Sequence, residues 1–353
     1  MQSRSFAAFL PVLAGLAQTF GQAAVTPPFA SQYTLVDLGV PSGLPAPAGA
    51  LTIKADDTNT LIVAGSANSL WVVRVQRDPS GHITGFQGPA TRMCDAQSID
   101  GGLGYGPNNV LFYGRYPGTT IGQIRLGSST TNKVADVGAI GVTASTSSIN
   151  FVPAGFPGAG RCKVLTYPSG QWWDLTLVPD GAGTYNIPVA AREAGLLIPG
   201  NPEGFAYVPQ NSALFAGPSI LVTEWAGPGI SAYSLDATGT PLVASRKQLI
   251  SGTSSIEGAN FDPVSGDFLF TTYGLAHIYA IHGFTPGTVS NPCYPNCDSS
   301  TVAPLLNAND FQCFLNAFAS GDTYANCDNS SVAPVLNAND FQCFLNTFAN
   351  GCS

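Results

Sequence analysis

Leu103-Gly104-Tyr105-Gly106-Pro107, Ile149-Asn150-Phe151-Val152-Pro153, Phe205-Ala206-Tyr207-Val208-Pro209 and Ala259-Asn260-Phe261-Asp262-Pro263 are four renderings of one phrase, with an aromatic residue two before proline each time. A weaker copy, Leu51-Thr52-Ile53-Lys54-Ala55, precedes them, and the interval from Ala55 to Pro263 gives a mean period of 52 residues. Self-similarity at such a period means that one supersecondary unit is repeated and that neighbouring units bury each other's apolar faces. Each phrase is followed by a turn and an apolar strand: Leu61 to Ala64, Val110 to Tyr113, Lys163 to Tyr167, Ile220 to Trp225, and Phe268 to Tyr273. Alternating third strands follow at Ile230 to Leu235 and Ile278 to Ile281, with fourth-strand candidates at Asn186 to Ala191 and Leu242 to Ser245.

Four strands per unit is the blade of a β-propeller. Five copies predict five blades, with a six-bladed ring carrying one degenerate unit as the alternative and a β-sandwich or β-solenoid as the blander one. The fifth unit runs out after its third strand near Phe284, while Tyr33 to Leu38 reads as a strand with no blade of its own. That N-terminal strand is expected to complete the last blade, which would close the ring and cover an exposed sheet edge.

Composition supports a mainly β body: 40 glycines, 27 prolines and no long helical apolar stripe before residue 300. Only 10% of residues are charged, and 13 basic residues face 21 acidic ones, so the sequence offers no basic stripe for nucleic acid or anionic lipid. At the N-terminus, Arg4 precedes the apolar run Phe6 to Phe20, and the small residues Gly21 and Ala23 precede a plausible cut. This is the pattern of a signal peptide over 1–23. The run is interrupted by Pro11, Gly15 and Gln18, and no transmembrane segment is expected. Export fits the eight cysteines, six of them between Cys293 and Cys352. The expected organisation is a leader, a propeller over 31–286, a linker over 287–292 and a separate module over 293–353. The expected form is a secreted monomer, extracellular or attached to the cell surface.

The C-terminal module is itself a tandem repeat. Asn307-Ala308-Asn309-Asp310-Phe311-Gln312-Cys313-Phe314-Leu315-Asn316 returns letter for letter as Asn337 to Asn346. Each copy reads as a polar loop and a helix: Phe311, Phe314, Leu315 and Phe318 make one apolar face, Asn309 or Asp310 can cap its start, and Gly321 and Gly351 stop the two helices. Oxygen-bearing side chains crowd each loop: Asn296, Asp298, Ser300, Asn307 and Asp310 in the first, then Asn326, Asp328, Ser330, Asn337 and Asp340 in the second. Calcium takes six to eight hard oxygen ligands, and a loop closed by a carboxylate at a helix start can wrap one ion. About two ions are expected, with Asp310 and Asp340 as bidentate ligands. The blander reading is a disulfide knot in which these residues act only as caps.

Paired loop-helix units at the end of a secreted chain resemble a dockerin, and the wording Asn-Cys-Asp followed by Leu-Asn-x-x-Asp-Phe-x-Cys-Phe-Leu-Asn resembles the GC-type dockerin group. The resemblance covers about 60 residues and implies a calcium-binding attachment module that docks on a cohesin-like or other scaffold receptor. Departures include Asn in place of Asp at the first ligand position, Thr301 or Ser331 where glycine is usual, and the extra residues around Pro304 and Pro334. On the helical wheel Cys313 and Cys343 point away from the Phe/Leu face, which favours the pairs Cys297 with Cys313 and Cys327 with Cys343. Cys293 and Cys352 would then clasp the module's ends, although six cysteines allow fifteen pairings.

In the body, three acids stand just before the repeated phrase: Asp100, Glu203 and Glu257, each followed by glycine. If the phrase is the innermost strand of its blade, these carboxylates converge at one mouth of the central channel, where a cation or a ligand's hydroxyls could bridge them. The blander reading is that each acid-glycine pair makes a turn. Nucleophilic catalysis has little to build on: no Gly-x-Ser-x-Gly elbow occurs, and the only histidines are His82, His277 and His282. His82 is expected at the surface in the turn Asp78 to His82, and His277 and His282 cannot make a simple metal pair. Trp71, Trp172, Trp173 and Trp225 could stack on sugar rings or fill space between blades. The expectation is a non-catalytic propeller that binds an extracellular glycan or protein, held by its tail. The alternative is a tail-anchored hydrolase or lyase, calcium-dependent, acting on carbohydrate or on a lactone or phosphate ester.

Overall fold

The computed structural model describes residues 23–286 except 275, together with 294–297, 306–328, 330 and 333–351. Two strands come first: β1 (Ala24–Val25) and β2 (Thr34–Gly39). Blade 1 follows as β3 (Ala48–Lys54), β4 (Asp57–Gly65), β5 (Ser69–Arg77) and β6 (Ile83–Asp95). Blade 2 is β7 (Ile99–Tyr105), β8 (Leu111–Arg115), β9 (Thr120–Ile124) and β10 (Lys133–Asp136). Blade 3 is β11 (Ser145–Phe151), β12 (Cys162–Tyr167), β13 (Gln171–Pro179) and β14 (Tyr185–Leu197). Blade 4 is β15 (Pro202–Tyr207), β16 (Ser219–Glu224), β17 (Ile230–Ser234) and β18 (Lys247–Ser251). Blade 5 supplies β19 (Ile256–Phe261), β20 (Phe268–Thr272) and β21 (Ile278–His282), and the five antiparallel sheets make a five-bladed β-propeller.

The repeated phrase forms the first strand of every blade, and its successor the second. These inner strands are packed from both sides, so β15 and β16 are buried at every position, whereas the outer strand β14 is mostly exposed. The core is correspondingly divided. Separate apolar clusters fill the gaps between successive blades, such as Phe112, Val164 and Trp173 between blades 2 and 3. A further cluster, containing Leu51, Leu61, Leu269 and Ile278, fills the gap between blades 1 and 5. Each fully buried side chain of this kind contributes roughly 1.5–3 kcal/mol.

The ring closes as the orphan strand requires. β2 is the outer strand of blade 5, with Leu35 opposite Ile281 and Val36 opposite Ala280. Tyr33, just before it, packs on Phe284 with ring centroids 4.3 Å apart. β1 adds a fifth strand to blade 4, Ala24 opposite Ser251, which two residues are too short to announce by any periodicity. Leu242 to Ser245 does not form the fourth strand of that blade. Val243–Ser245 is a 3-10 turn, because Ser245 Oγ donates to the Leu242 carbonyl and accepts from Ser234 N–H, taking groups that a ladder there would need. The fourth strand is β18 instead.

Near the C-terminus, α1 (Ala308–Ser320) and α2 (Ala338–Asn350) carry the apolar face. The caps are Asn307 and Asn337 rather than Asn309 or Asp310. Each asparagine has extended backbone and accepts from the N–H two residues on, while Asp310 and Asp340 complete a capping box. Gly321 ends α1 in the left-handed conformation. Phe314 and Phe344 stack at 4.2 Å and Phe318 meets Phe341 at 4.5 Å, so the two copies share one apolar centre. Cys297 is bonded to Cys313 and Cys327 to Cys343. Cys293, Cys352 and most of the leader over 1–23 lie outside the described residues.

Candidate functional site

The three acids sit at matching places in the ring. Asp100 is on β7, Glu203 on β15 and Glu257 on β19, all at the start of an inner strand. Blades 1 and 3 have Gly49 and Ser147 there. Inner strands approach closely at this end: a Cβ on Gly101 would stand 2.2 Å from the Glu203 carbonyl oxygen, so no larger residue fits. All three carboxyls are buried, and those of Asp100 and Glu203 lie within hydrogen-bonding reach of each other. Asp100 Oδ2 and Glu203 Oε2 are buried, and no conventional donor among the described residues reaches either. Two carboxyls within that reach can share a proton. Desolvation pushes Asp100 up to about 7 against the lowering effect of its contact with Glu203, and desolvation together with the charges of Asp100 and Glu257 raises Glu203 well above the usual carboxylate range. Burial raises Glu257 likewise, followed by the Asp100 charge.

Above the acids stands a rim of aromatic side chains. The residue after the second strand is Tyr116 in blade 2, Trp225 in blade 4 and Tyr273 in blade 5, and Tyr167 is the last residue of that strand in blade 3. One turn fixes acid and aromatic together. Ser98, Asn201 and Ser255, each two before an acid, have φ of 59°, 52° and 54°, and their carbonyls accept from Tyr116, Trp225 and Tyr273 N–H at 2.9, 3.0 and 3.0 Å. Tyr116 meets Tyr167 edge-on at 5.6 Å, and Trp225 meets Tyr273 at 5.2 Å. Tyr167 and Tyr273 are both raised, first by burial and then by the charges of all three acids and of Tyr116, so these phenols lie within electrostatic reach of the carboxyl cluster. The repeated Tyr-Pro at 116–117 and 167–168 was the available sequence signal for this rim. Of the tryptophans, Trp172 and Trp173 are buried between blades, Trp71 is half-buried and donates to Ser69 Oγ, and Trp225 belongs to the rim. A cleft of about 180 Å³ between blades 1 and 2, lined by Lys54, Tyr105, Leu111 and Arg125, includes none of the acids.

In the tail, Asp298 and Ser300 lie outside the described residues, and Asn296, Asn307 and Asp310 are described. The second loop is nearly complete. Asn326 Oδ1 and Asp328 Oδ1 both accept from Ser330 N–H, and Asp340, fully buried, accepts from Asp328 N–H at 3.2 Å and Asn337 N–H at 2.8 Å. Asp328 and Asp340 also lie within side-chain hydrogen-bonding reach. Asn326, Asp328 and Asp340 therefore bring oxygens together, the donor set that suits a hard cation. Asn307 and Asn337 direct Oδ1 to the helix N–H groups of Asn309 and Asn339.

The histidines divide differently from expectation. His82 is half-buried rather than at the surface and packs face to face on His282. His277 stands apart, with Nδ1 3.1 Å from Asp37 Oδ1. Cys94 and Cys162 are separate buried thiols.

No protein-family model matches the chain, and no curated protein sequence does. Among solved structures it is similar to Myxococcus xanthus glutaminyl cyclase, at 12% identity and a TM-score of 0.41 over 74% of this chain and 95% of that one. It is also similar to an auxiliary nutrient binding protein from Bacteroides thetaiotaomicron, at 10% identity and a TM-score of 0.41 over 71% of this chain and 76% of that one. Kuenenia stuttgartiensis hydrazine synthase matches at 14% identity and a TM-score of 0.36, over 66% of this chain and 57% of that one, so the chain spans little more than half of that protein's length.

Proposed function

We propose that this chain is an extracellular, non-catalytic ligand-binding propeller, held at a scaffold or cell surface by a calcium-loaded, dockerin-like tail. The observation that carries the binding reading is the channel mouth, where Tyr116, Tyr167, Trp225 and Tyr273 stand at equivalent blade positions over three buried carboxyls. Tyrosine and tryptophan combine an apolar face with a polar edge. Such a rim suits a glycan, whose ring faces stack on aromatics while its hydroxyls take the phenols. Export is supported by the leader pattern and the two disulfides, and attachment by the paired loop-helix units.

The test is binding of soluble polysaccharides to the full chain beside Tyr116→Ala/Tyr273→Ala, with product release followed in parallel. Binding lost in the variant, without turnover in either protein, is the expected result. A second reading is favoured by the buried, closely placed carboxyls of Asp100 and Glu203, since a carboxyl raised to about 7 can serve as a general acid. Turnover abolished by Glu203→Gln would replace the binding reading with that one. For the tail, calorimetric calcium titration of the full chain should give two sites that vanish in Asp310→Ala/Asp340→Ala. No calcium uptake would withdraw the attachment mechanism.

A further inference from the structure

His82, Asp267 and His282 come together where blade 1 meets blade 5. His82 ends the β5–β6 hairpin turn, Asp267 stands just before β20, and His282 is the last residue of β21. His82 Nδ1 is 2.8 Å from Asp267 Oδ1, and His282 Nε2 is 3.5 Å from Asp267 Oδ2. The two imidazoles lie nearly parallel with centroids 4.4 Å apart, so both present a nitrogen toward one carboxylate. One ligand atom from each residue falls within 4.8 Å of the others.

Two details separate this cluster from an ordinary surface contact. His282 Nε2 is buried and without a hydrogen-bond partner among the described residues, although the ring itself is partly accessible. Asp267 is fully buried, and among the described residues no lysine or arginine pairs with it. The nearby Arg77 is committed to Asp262 through two bonds of 2.6 and 2.9 Å, and among the described residues the only other donor to the Asp267 carboxylate besides the histidines is Ile83 N–H at 3.2 Å. A buried carboxylate flanked by two imidazoles and paired with no lysine or arginine among the described residues is an incomplete electrostatic unit.

We propose that His82, Asp267 and His282 form a site for a divalent first-row transition ion of the zinc type. A tetrahedral ion at about 2.1 Å from its ligands sets them roughly 3.4 Å apart, and the spacings here lie on either side of that value. Two nitrogens and one carboxylate oxygen suit zinc, cobalt or nickel, and do not suit calcium, which takes oxygens. Binding displaces the proton between His82 Nδ1 and Asp267 to solvent or to His82 Nε2, and leaves at least one coordination position for water. Because His82 comes from the first blade and the other two ligands from the last, the ion clamps the ring at its closure.

The experiment uses the full chain without an affinity tag, stripped with chelator and held in saturating calcium, titrated with zinc by calorimetry and with cobalt by visible absorbance. The expected result is one zinc per chain, a rise in melting temperature, and a cobalt spectrum of nitrogen-oxygen ligation. His82→Ala and His282→Ala should each weaken zinc binding at least tenfold, while His277→Ala binds as wild type. Failure of the wild-type chain to bind zinc would overturn the proposal, and so would binding that persists in both His82→Ala and His282→Ala. If the alanine variants unfold, His82→Gln read by the cobalt spectrum serves in their place.

Discussion

Glu257 Oε2 lies 2.6 Å from the point where a Cβ on Gly49 would stand. Blade 1 thus contributes no acid to the channel mouth because it contributes the space that an acid from blade 5 occupies. Gly49→Ala would press a Cβ onto the Glu257 carboxyl, with the Asp100 carbonyl oxygen at 3.3 Å and Ala64 Cβ at 3.7 Å of that Cβ, at a cost of about 1–3 kcal/mol for overpacking. Urea unfolding beside wild type reads it; an unchanged midpoint would mean that the mouth is loosely packed.

The buried acids make a prediction about pH. Asp100 and Glu203 are raised, so between about pH 4 and about pH 7 the folded chain holds protons that the unfolded chain has released. More protons bound in the folded state means that stability falls as pH rises through that window. Glu203→Gln takes one of the raised carboxyls out of the titration. The variant should therefore lose less stability than wild type between pH 5 and pH 8, measured by denaturant midpoints. Parallel profiles would count against a cluster that shares a proton.

Much of this architecture was legible in the sequence, and the reason is physical. A blade's inner strands meet neighbours on both faces, so the repeated aromatic-x-Pro phrase and the apolar strand after it had to recur in each unit. The unpartnered strand from Tyr33 to Leu38 was readable because the last unit visibly lacked one. Asp100, Glu203 and Glu257 shared a place relative to the phrase, and the ring brings that place to the axis. Outer strands are held on one side only, so Leu242 to Ser245 could look like a strand while a serine side chain took its hydrogen bonds. His82 and His282 lie 200 residues apart and meet only because the ring closes, which no local pattern records.

Arg77 and Asp262 cross the same seam as an ion pair whose carboxylate is fully buried. Arg77→Met strands that carboxylate, which still receives Ser265 Oγ–H at 2.5 Å but no charge. The expected loss is about 3–5 kcal/mol, and Arg77→Met/Asp262→Leu should recover a large part of it. Thermal unfolding of the two variants decides the matter, and a double variant no better than the single would point to packing instead of charge.

Asn337 closes the start of α2 through Oδ1 and Asn339 N–H at 2.8 Å. Asn337→Ala should cost about 1 kcal/mol of tail stability, while Asn339→Ala, which keeps the backbone N–H of the capping contact, should cost much less. Hydrogen exchange at the first turn of α2 distinguishes them, and equal exchange in both variants would remove the cap from the account.

If the chain is moored by its C-terminus as proposed above, the placement of β2 decides where mechanical load arrives. Tension on the tail passes through Phe284 to β21, the strand that would have been the free edge of the last blade. With β2 bonded along its outer side and β20 along its inner side, β21 cannot be peeled away by breaking one ladder. β2 would thus reinforce the strand nearest such a mooring, and the propeller would take the load as a closed hoop rather than as a ribbon that unwinds from its end.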